Sequence, residues 1–274
     1  MLCIGFFVVF GISPFSYAKA KKKRSSSAAG SAFSAQAIII VDVTKNRTLY
    51  SRNSHARYAP ASTVKLLTAL VALEQLGMKS QVRISRNAAN TEPTKIWVSA
   101  GDSYRSGDLI NAILVSSAND SSVALAEAVA GSEREFAKRM NRRAKKLGAK
   151  NSNFINASGL PSKGQYTTAY DLYRIAKAAT ANTTLNAILR KRKETIKSSR
   201  GKTTSLTNHN KLVFRKKYPV VLLKTGYTRS ARHCYAGRIY LNGREYVFAF
   251  LKSGKPWTDI DKIISFIRRK RASQ

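Results

Sequence analysis

Ser62 and Lys65, a serine and a lysine three residues apart, have types and a spacing that indicate chemistry. The motif alone is weak, because the same spacing begins at Ser16 and at Ser199. A hydroxyl becomes a nucleophile when a base takes its proton, and a lysine amine can be that base when burial lowers its pKa. An apolar periodic run from Ser62 to Leu76, ended by Gly77, predicts a helix that carries both side chains on one face. The plain alternative is that Ser62 only caps this helix.

A second motif, Ser-x-Asn, comprises Ser117 and Asn119 and follows the apolar stretch 109–115. A hydroxyl at this place can relay a proton, and an amide can orient an acyl substrate. The alternative is that the two residues break one helix and cap the next. The motif alone is weak, because the same spacing begins at Ser51 and at Ser85.

A third motif, Lys224-Thr225-Gly226, follows the apolar strand segment 220–223 and occurs once in the chain. Glycine removes a side chain where a substrate backbone could lie along a strand edge. The lysine and the threonine supply donors for a carboxylate. The alternative is a strand that ends in a glycine turn.

The elements that must position these motifs are strands at both ends of the sequence and a helical block between them. The patterns predict strands at 35–43, 48–51, 203–207, 218–225, 232–241 and 244–252, and helices at 62–76, 106–116, 120–131, 132–147, 168–181, 182–190 and 257–270. Runs of one element type followed by another favour an α+β fold with an antiparallel sheet. We expect the first strand to join the late hairpin in one sheet, with the middle helices covering a face.

The charge of the chain is strongly positive. Its 274 residues include 49 Lys and Arg but only 14 Asp and Glu, a net charge of +35, and 43% of the residues are hydrophobic. The apolar fraction excludes a mainly disordered chain, and the scarcity of carboxylates argues against a carboxylate-rich metal site. We therefore expect no metal and no cofactor. The positive excess favours attraction to an anionic polymer or surface.

The N-terminal region predicts export to the periplasm or cell envelope. A short apolar run followed by Ala18-Lys19-Ala20 indicates a signal peptide at 1–20, although no basic residue precedes the run. Residues 21–34 read as a basic flexible linker, and 35–271 as the folded domain. Cys3 would leave with the signal, and we interpret Cys234 as a structural cysteine in a strand rather than a nucleophile.

The three motifs occur in the order Ser-x-x-Lys, Ser-x-Asn, Lys-Thr-Gly, which is the pattern of penicillin-recognising serine enzymes. Over residues 35–270 the sequence resembles the low-molecular-mass penicillin-binding proteins of the D-alanyl-D-alanine carboxypeptidase family, peptidase family S11. The resemblance extends to Pro60-Ala61, Asp120, Val123-Ala124-Leu125-Ala126, Met140-Asn141, Leu147-Gly148, Ser158-Gly159-Leu160, Thr168-Ala169-Tyr170-Asp171-Leu172 and Tyr227-Thr228. It implies a β-lactamase/transpeptidase-like fold, an antiparallel sheet covered by helices plus a mainly helical sub-region.

The resemblance implies an exported serine-type carboxypeptidase that removes the terminal D-alanine of peptidoglycan stem peptides and is trapped by β-lactams. Ser62 would be the nucleophile and Lys65 its base. Ser117 would transfer the proton, and Asn119 would bind the substrate amide. Lys224 and Thr225 would bind the terminal carboxylate, and the substrate would approach along Gly226. The backbone N–H groups of Ser62 and Tyr227 would form the oxyanion site.

Three departures from the family pattern bear on specificity. His209 stands where many members have an arginine that helps bind the carboxylate, Tyr166 stands where many have histidine, and Val221-Leu222 replaces an Asp-Gly pair. The resemblance to the small endopeptidase branch that cuts cross-links leads us to expect a small form without the C-terminal β-domain and membrane-anchor helix of larger members.

The alternative classes are a β-lactamase, a non-catalytic wall-binding protein and a nucleic-acid-binding protein. A class A β-lactamase would need a Glu-x-x-x-Asn motif, which this sequence lacks. A non-catalytic basic protein that binds the cell wall is the alternative from another class, and the basic run 191–202 supports it. Nothing beyond charge supports nucleic-acid binding, so we expect none.

Overall fold

The described part of the chain is one folded unit that starts at Phe33. The computed structural model describes residue 2, residues 33–215 and residues 219–272. Apart from residue 2, the predicted signal peptide at 1–20 and the predicted linker as far as residue 32 lie outside the described residues. Phe33 is buried and the backbone N–H of Ser34 donates to Asp259 at 2.7 Å, so the chain is already packed at the end of the predicted linker.

A five-stranded antiparallel sheet forms the centre of the fold, in the order β2-β1-β11-β10-β9. Its strands are β1 (Ala37–Asp42), β2 (Arg47–Arg52), β9 (Val220–Thr228), β10 (Arg232–Leu241) and β11 (Arg244–Ser253). The first strand pairs with the last, with Ile39 opposite Ala249, which confirms the predicted joining of the two ends of the chain. Strand β9 lies at one edge.

The remaining elements form the helical region and three small two-stranded sheets. The helices are α1 (Lys65–Leu76), α2 (Arg86–Ala89), α3 (Ser106–Val115), α4 (Asn119–Ala130), α5 (Glu133–Lys146), α6 (Ala169–Ala181), α7 (Thr183–Arg190) and α8 (Pro256–Ala272). The short pairs are β3 (Arg57–Tyr58) with β6 (Thr167–Thr168), β4 (Gln81–Arg83) with β5 (Ser103–Arg105), and β7 (Lys193–Lys197) with β8 (Thr203–Thr207). The predicted α+β class is confirmed. No described helix is both long and apolar enough to span a membrane.

Both faces of the sheet are covered, which explains why β1 is apolar at almost every position. Ile38 and Ile40 point to the side packed by α8, through Ile260 and its neighbours. Ile39 points to the opposite side, in the core shared with α6 and the other helices of the central block. Because successive side chains of a strand alternate between faces, a strand covered on both sides buries each of them.

Two local expectations were wrong. Ser62 lies in a 3₁₀ turn, Ala61–Val64, and α1 begins only at Lys65, so Ser62 does not cap an α-helix. Strand β7 was not predicted, because it lies in the basic run and three of its five residues, Lys193, Glu194 and Lys197, are charged. Strand β8 also has one fully buried residue, Leu206, but it consists of Thr, Ser and Leu and was predicted.

The closest backbone approach within the sheet is at Gly237 on β10. A Cβ atom at this position would overlap the Leu222 carbonyl oxygen and lie 2.6 Å from the Leu223 Cα on β9. We expect Gly237→Ala to lower the free energy of unfolding by about 2–4 kcal/mol, because the two strands must separate. Urea denaturation of the purified chain measures this change. Gly254→Ala is the matched control, since its Cβ would meet nothing within 4 Å, and equal stability of the two variants would contradict the assigned strand contact.

Candidate active site

Ser62 lies half-buried in a turn that two distant segments contact closely. The preceding residue, Ala61, has φ +47°, a conformation that residues other than glycine seldom adopt. A Cβ at Gly159 would overlap the Ala61 carbonyl, and a Cβ at Gly226 would lie 2.8 Å from the Ser62 backbone nitrogen. Glycine at both positions therefore lets the 157–160 segment and strand β9 approach the backbone of this turn.

Lys65 is fully buried at the first position of α1, and its amine contacts three oxygen atoms. Nζ lies 2.9 Å from Ser62 Oγ, 2.7 Å from Asn119 Oδ1 and 2.6 Å from the carbonyl oxygen of Ser158. Burial, followed by the charge on Lys224, lowers the pKa of Lys65 well below its usual value.

The neutral amine of Lys65 has two N–H donors and one lone pair. The Ser158 carbonyl only accepts hydrogen bonds. Asn119 presents its oxygen to Lys65, because its Nδ2 donates to the Pro93 carbonyl. Both N–H groups are then used, and the lone pair is left for the hydroxyl hydrogen of Ser62. This arrangement can remove a proton from Ser62.

Lys224 forms a second buried cationic position. It is 1% exposed, and its Nζ lies 3.0 Å from Ser117 Oγ and 2.9 Å from the Thr225 carbonyl oxygen. Burial lowers the pKa of Lys224 to about 7. Ser117 is itself buried and has φ +64°, so an unusual backbone conformation presents its hydroxyl to Lys224.

Asn119 and Asp120 hold the segment before β5 rather than capping α4. The N-cap of α4 is Ala118, which makes no side-chain cap, so the capping alternative for Asn119 is wrong. The Asn119 N–H donates to Thr94 O at 2.8 Å, and Asp120 Oδ2 accepts from the N–H groups of Ile96 and Val98. Burial raises the pKa of the Asp120 carboxyl.

The third motif lies on edge strand β9, which continues to Thr228, so the alternative of a strand that ends at the glycine is wrong. Thr225 is half-buried, and Tyr227 is exposed with its ring 4.7 Å from that of His233. The contact between Gly226 and the Ser62 turn brings this edge to the predicted nucleophile.

Two groups near the buried amine of Lys65 were not predicted from the sequence, the Ser158 carbonyl and the Glu133 carboxylate. The Ser158 carbonyl is a direct partner of Lys65, although the Ser158-Gly159-Leu160 segment carried only the family resemblance. Glu133 accepts a hydrogen bond from the Ala157 N–H at 2.9 Å and holds the same segment. A carbonyl partner has no signature in residue type, so only the resemblance pointed to this segment.

His209 and Cys234 were the two uncertain side chains of the prediction. His209 has an exposed side chain at the edge of the site, yet desolvation by the surrounding protein, followed by the charges on Lys224 and Lys65, lowers its pKa to about 4.

Cys234 is buried in β10, and burial raises its pKa to about 12, which confirms a structural cysteine. In the described ranges no group of three His, Cys, Asp or Glu residues could hold a metal ion.

Comparison with known proteins decides the family. The family model described as D-alanyl-D-alanine carboxypeptidase, Peptidase S11, matches residues 21–252. This chain belongs to that family. The D-alanyl-D-alanine carboxypeptidase DacF of Bacillus subtilis is 36% identical over 228 residues, which cover 81% of this chain and 57% of that protein. The chain thus matches less than two thirds of that relative.

Two further members of the family are similar to this chain, one in sequence and one in structure. A D-alanyl-D-alanine endopeptidase of Escherichia coli is 30% identical over 231 residues, covering 83% of this chain and 74% of that protein. The crystal structure of a D-alanyl-D-alanine carboxypeptidase from Mycobacterium tuberculosis superimposes with a TM-score of 0.79 at 28% identity, covering 85% of this chain and 90% of that one. The family fold implied by the sequence is therefore confirmed.

The lowered pKa of Lys224 predicts a pH dependence of stability. Above about pH 7 the folded chain releases the Lys224 proton, whereas the unfolded chain keeps it up to the usual value of 10.5. The unfolded state then binds more protons, so stability rises with pH, by up to about 1.4 kcal/mol per pH unit for this residue. We expect Lys224→Met to reduce the slope between about pH 7 and about pH 8.5, measured by urea denaturation. Lys255→Met, at an exposed lysine, is the control, and a slope unchanged by Lys224→Met would disprove the linkage.

Proposed function

We propose that this chain is a serine DD-peptidase that hydrolyses the terminal D-alanine of peptidoglycan stem peptides through an acyl-enzyme on Ser62. The observation that carries the proposal is the position of Lys65 Nζ, which lies 2.9 Å from Ser62 Oγ, 2.7 Å from Asn119 Oδ1 and 2.6 Å from the Ser158 carbonyl oxygen. In the neutral form of the amine, two N–H groups serve the last two oxygens and the lone pair is left for the Ser62 hydroxyl. Membership of the D-alanyl-D-alanine carboxypeptidase family supports this substrate class.

In the acylation step, Ser62 Oγ attacks the carbonyl between the two D-alanines while Lys65 Nζ takes the hydroxyl proton. The oxyanion is stabilised by the backbone N–H groups of Ser62 and Tyr227, which the close approach of Gly226 to the Ser62 turn supports. When the tetrahedral intermediate collapses, the proton passes by way of Ser117 to the leaving amine, and D-alanine departs. Water then attacks the ester, a proton returns to Ser62, and the shortened peptide is released.

Lys224 and Thr225 bind the terminal carboxylate of the substrate in this proposal. A lysine with a pKa of about 7 is partly neutral in the free protein, and an arriving carboxylate favours its protonated form. Ser117 accepts from Lys224 at 3.0 Å, so the carboxylate site and the proton-transfer site are linked by one hydrogen bond. A β-lactam carries both a carboxylate and a strained acyl group, and it would acylate Ser62 in the same way.

Covalent labelling by fluorescent penicillin tests the nucleophile and its base. We expect the purified full-length chain to be labelled and Ser62→Ala to give no label, because the acylated oxygen is gone. Lys65→Ala should slow acylation by about 10²–10⁴-fold, the usual contribution of a general base. Lys138→Ala, at an exposed lysine paired with Glu135, is the matched control. No label on a folded parent, with rapid quenching to catch a short-lived adduct, would contradict the proposal and favour a non-catalytic wall-binding protein.

A DD-endopeptidase that cuts peptidoglycan cross-links is the second candidate. It is favoured by His209, whose pKa of about 4 keeps the ring neutral near pH 7 at the position where many members carry an arginine. A site with less positive charge selects a free terminal carboxylate less strongly, so it can accept a cross-linked peptide. The E. coli endopeptidase among the relatives is consistent with this activity. Cleavage of cross-linked against monomeric muropeptides, compared between the parent and His209→Arg, distinguishes the two.

We further propose that the protein is exported and associates with anionic polymer of the cell envelope. The apolar N-terminal run supports export, and a cavity of about 320 Å³ between α1 and α5 supports the association. Four cations line this α1–α5 cavity, Arg139, Arg142, Arg143 and Lys146. The one carboxylate in the lining, Glu74, is taken up by Arg143 at 2.7 Å, which leaves a positive excess for an anionic ligand.

Binding to isolated sacculi tests the association. We expect the affinity of the parent to fall when salt rises from about 0.05 M to about 0.5 M, because screening shortens the range of the attraction. Arg142→Glu should weaken binding more than Lys145→Glu, which makes the same change of charge on the same helix outside the α1–α5 cavity. Binding that is indifferent to salt, or equal loss in both variants, would remove this cavity as the site.

A further inference from the structure

Trp97 is an exposed aromatic residue in an unusual backbone conformation. Its side chain is 66% exposed, in the segment between α2 and β5. Both Trp97 and Thr94 have φ +59°. Bulky and β-branched residues seldom adopt this conformation, and it costs on the order of 1–3 kcal/mol at each position. Such a conformation persists only where the surrounding structure holds it, so the bonds that hold this segment matter.

The backbone around Trp97 is held from two sides. Asp120 Oδ2 accepts hydrogen bonds from Ile96 N–H at 3.0 Å and Val98 N–H at 3.3 Å, on either side of the tryptophan. Lys202, between β7 and β8, donates to the Trp97 carbonyl oxygen. The β7–β8 hairpin is itself anchored, since Ser199 Oγ donates to Asp102 at 2.7 Å. These contacts together therefore hold the backbone around Trp97 in its strained conformation.

The indole ring is contacted by a lysine and is otherwise largely exposed. The ammonium of Lys95 lies 4.4 Å from the ring centroid, in the range of a cation–π contact. Lys95 is 9% exposed in its side chain and forms an ion pair with Glu92 at 2.5 Å, so its position is also fixed. A ring held in this way is a rigid, exposed apolar surface, with one lysine over a ring face and a second bonded to the backbone carbonyl of the same residue.

The segment that carries Trp97 is hydrogen-bonded to Asn119 of the candidate active site. The Asn119 N–H bonds to Thr94 O at 2.8 Å, and the Asn119 side chain contacts Lys65 at 2.7 Å. Trp97 follows Thr94 by three residues, which span at most about 11 Å. A peptide of a few residues extending from Ser62 reaches over this distance.

We propose that Trp97 is a specificity-determining residue that stacks on a sugar ring of the glycan to which the substrate peptide is attached. This inference rests on the proposed DD-peptidase function, because that function supplies a peptide joined to a carbohydrate. A hexose presents C–H groups on its face and hydroxyl groups on its edge, which matches an apolar ring with a polar rim. Lys202 has three N–H donors and uses one on the Trp97 carbonyl, so it can donate to an edge oxygen.

Equilibrium binding to the full-length Ser62→Ala chain tests the inference, because this variant leaves the ligand intact. Calorimetry compares a stem peptide that carries its disaccharide with the same peptide lacking the sugar. We expect the sugar-bearing ligand to bind more tightly, and Trp97→Ala to reduce this advantage by about three- to tenfold, the range of an aromatic stacking contact. Trp97→Phe should keep part of the advantage. Phe214→Ala, which removes another exposed aromatic side chain outside the segment, should leave it unchanged.

Each alternative outcome is decisive. Equal affinity of the two ligands for the Ser62→Ala chain, or an equal loss for both ligands in Trp97→Ala, overturns the stacking role. Full retention of the advantage in both Trp97 variants overturns it as well. Penicillin labelling of the parent reports separately on the DD-peptidase function. Absence of label with a sugar advantage that depends on Trp97 would therefore contradict the catalytic proposal and keep the glycan contact.

Discussion

The burial of one amine among three oxygen atoms is the constraint on which the candidate site depends. Lys65 has no contact with solvent, and its nitrogen lies within 2.9 Å of Ser62, Asn119 and Ser158. An unpaired buried ammonium is costly, so the residue is tolerated only because these oxygens surround it and because its pKa falls. The same burial that costs stability makes the amine a base, and three separate chain segments must meet to achieve it.

Close backbone approach is the second requirement. The turn that carries Ser62 is contacted by the segment at Gly159 and by strand β9 at Gly226, and a Cβ at either glycine would collide with it. Edge strand β9 can therefore lie beside the nucleophile turn while its partner β10 ties it into the sheet. The sheet, covered on both faces, acts as the rigid support for this edge, and the helical region supplies Lys65 and Asn119 opposite it.

The sequence alone predicted most elements of regular structure, because they bury enough apolar residues to produce a clear period. Strands β8 and β10 have the predicted bounds, and the Asn242-Gly243 turn has the positive φ values that this pair favours. The prediction failed at β7, where three of the five residues are charged, although its burial pattern is the same as that of β8. It also failed at Ser62, because a 3₁₀ turn and a first helical turn share the same local residue preferences.

Residue types and their order determined the family, the three motifs and the chemistry open to them, since a hydroxyl, an amine and an amide are properties of side chains. Only the tertiary structure decided that burial lowers the pKa of Lys65, that the Ser158 carbonyl accepts from its amine, and that Lys224 reaches Ser117. These contacts join residues from 93 to 107 positions apart in the chain, where no sequence period extends. The role of the loop carrying Trp97 was likewise invisible in the sequence, because its exposed ring and the bonds from Asp120 arise only when the chain is folded.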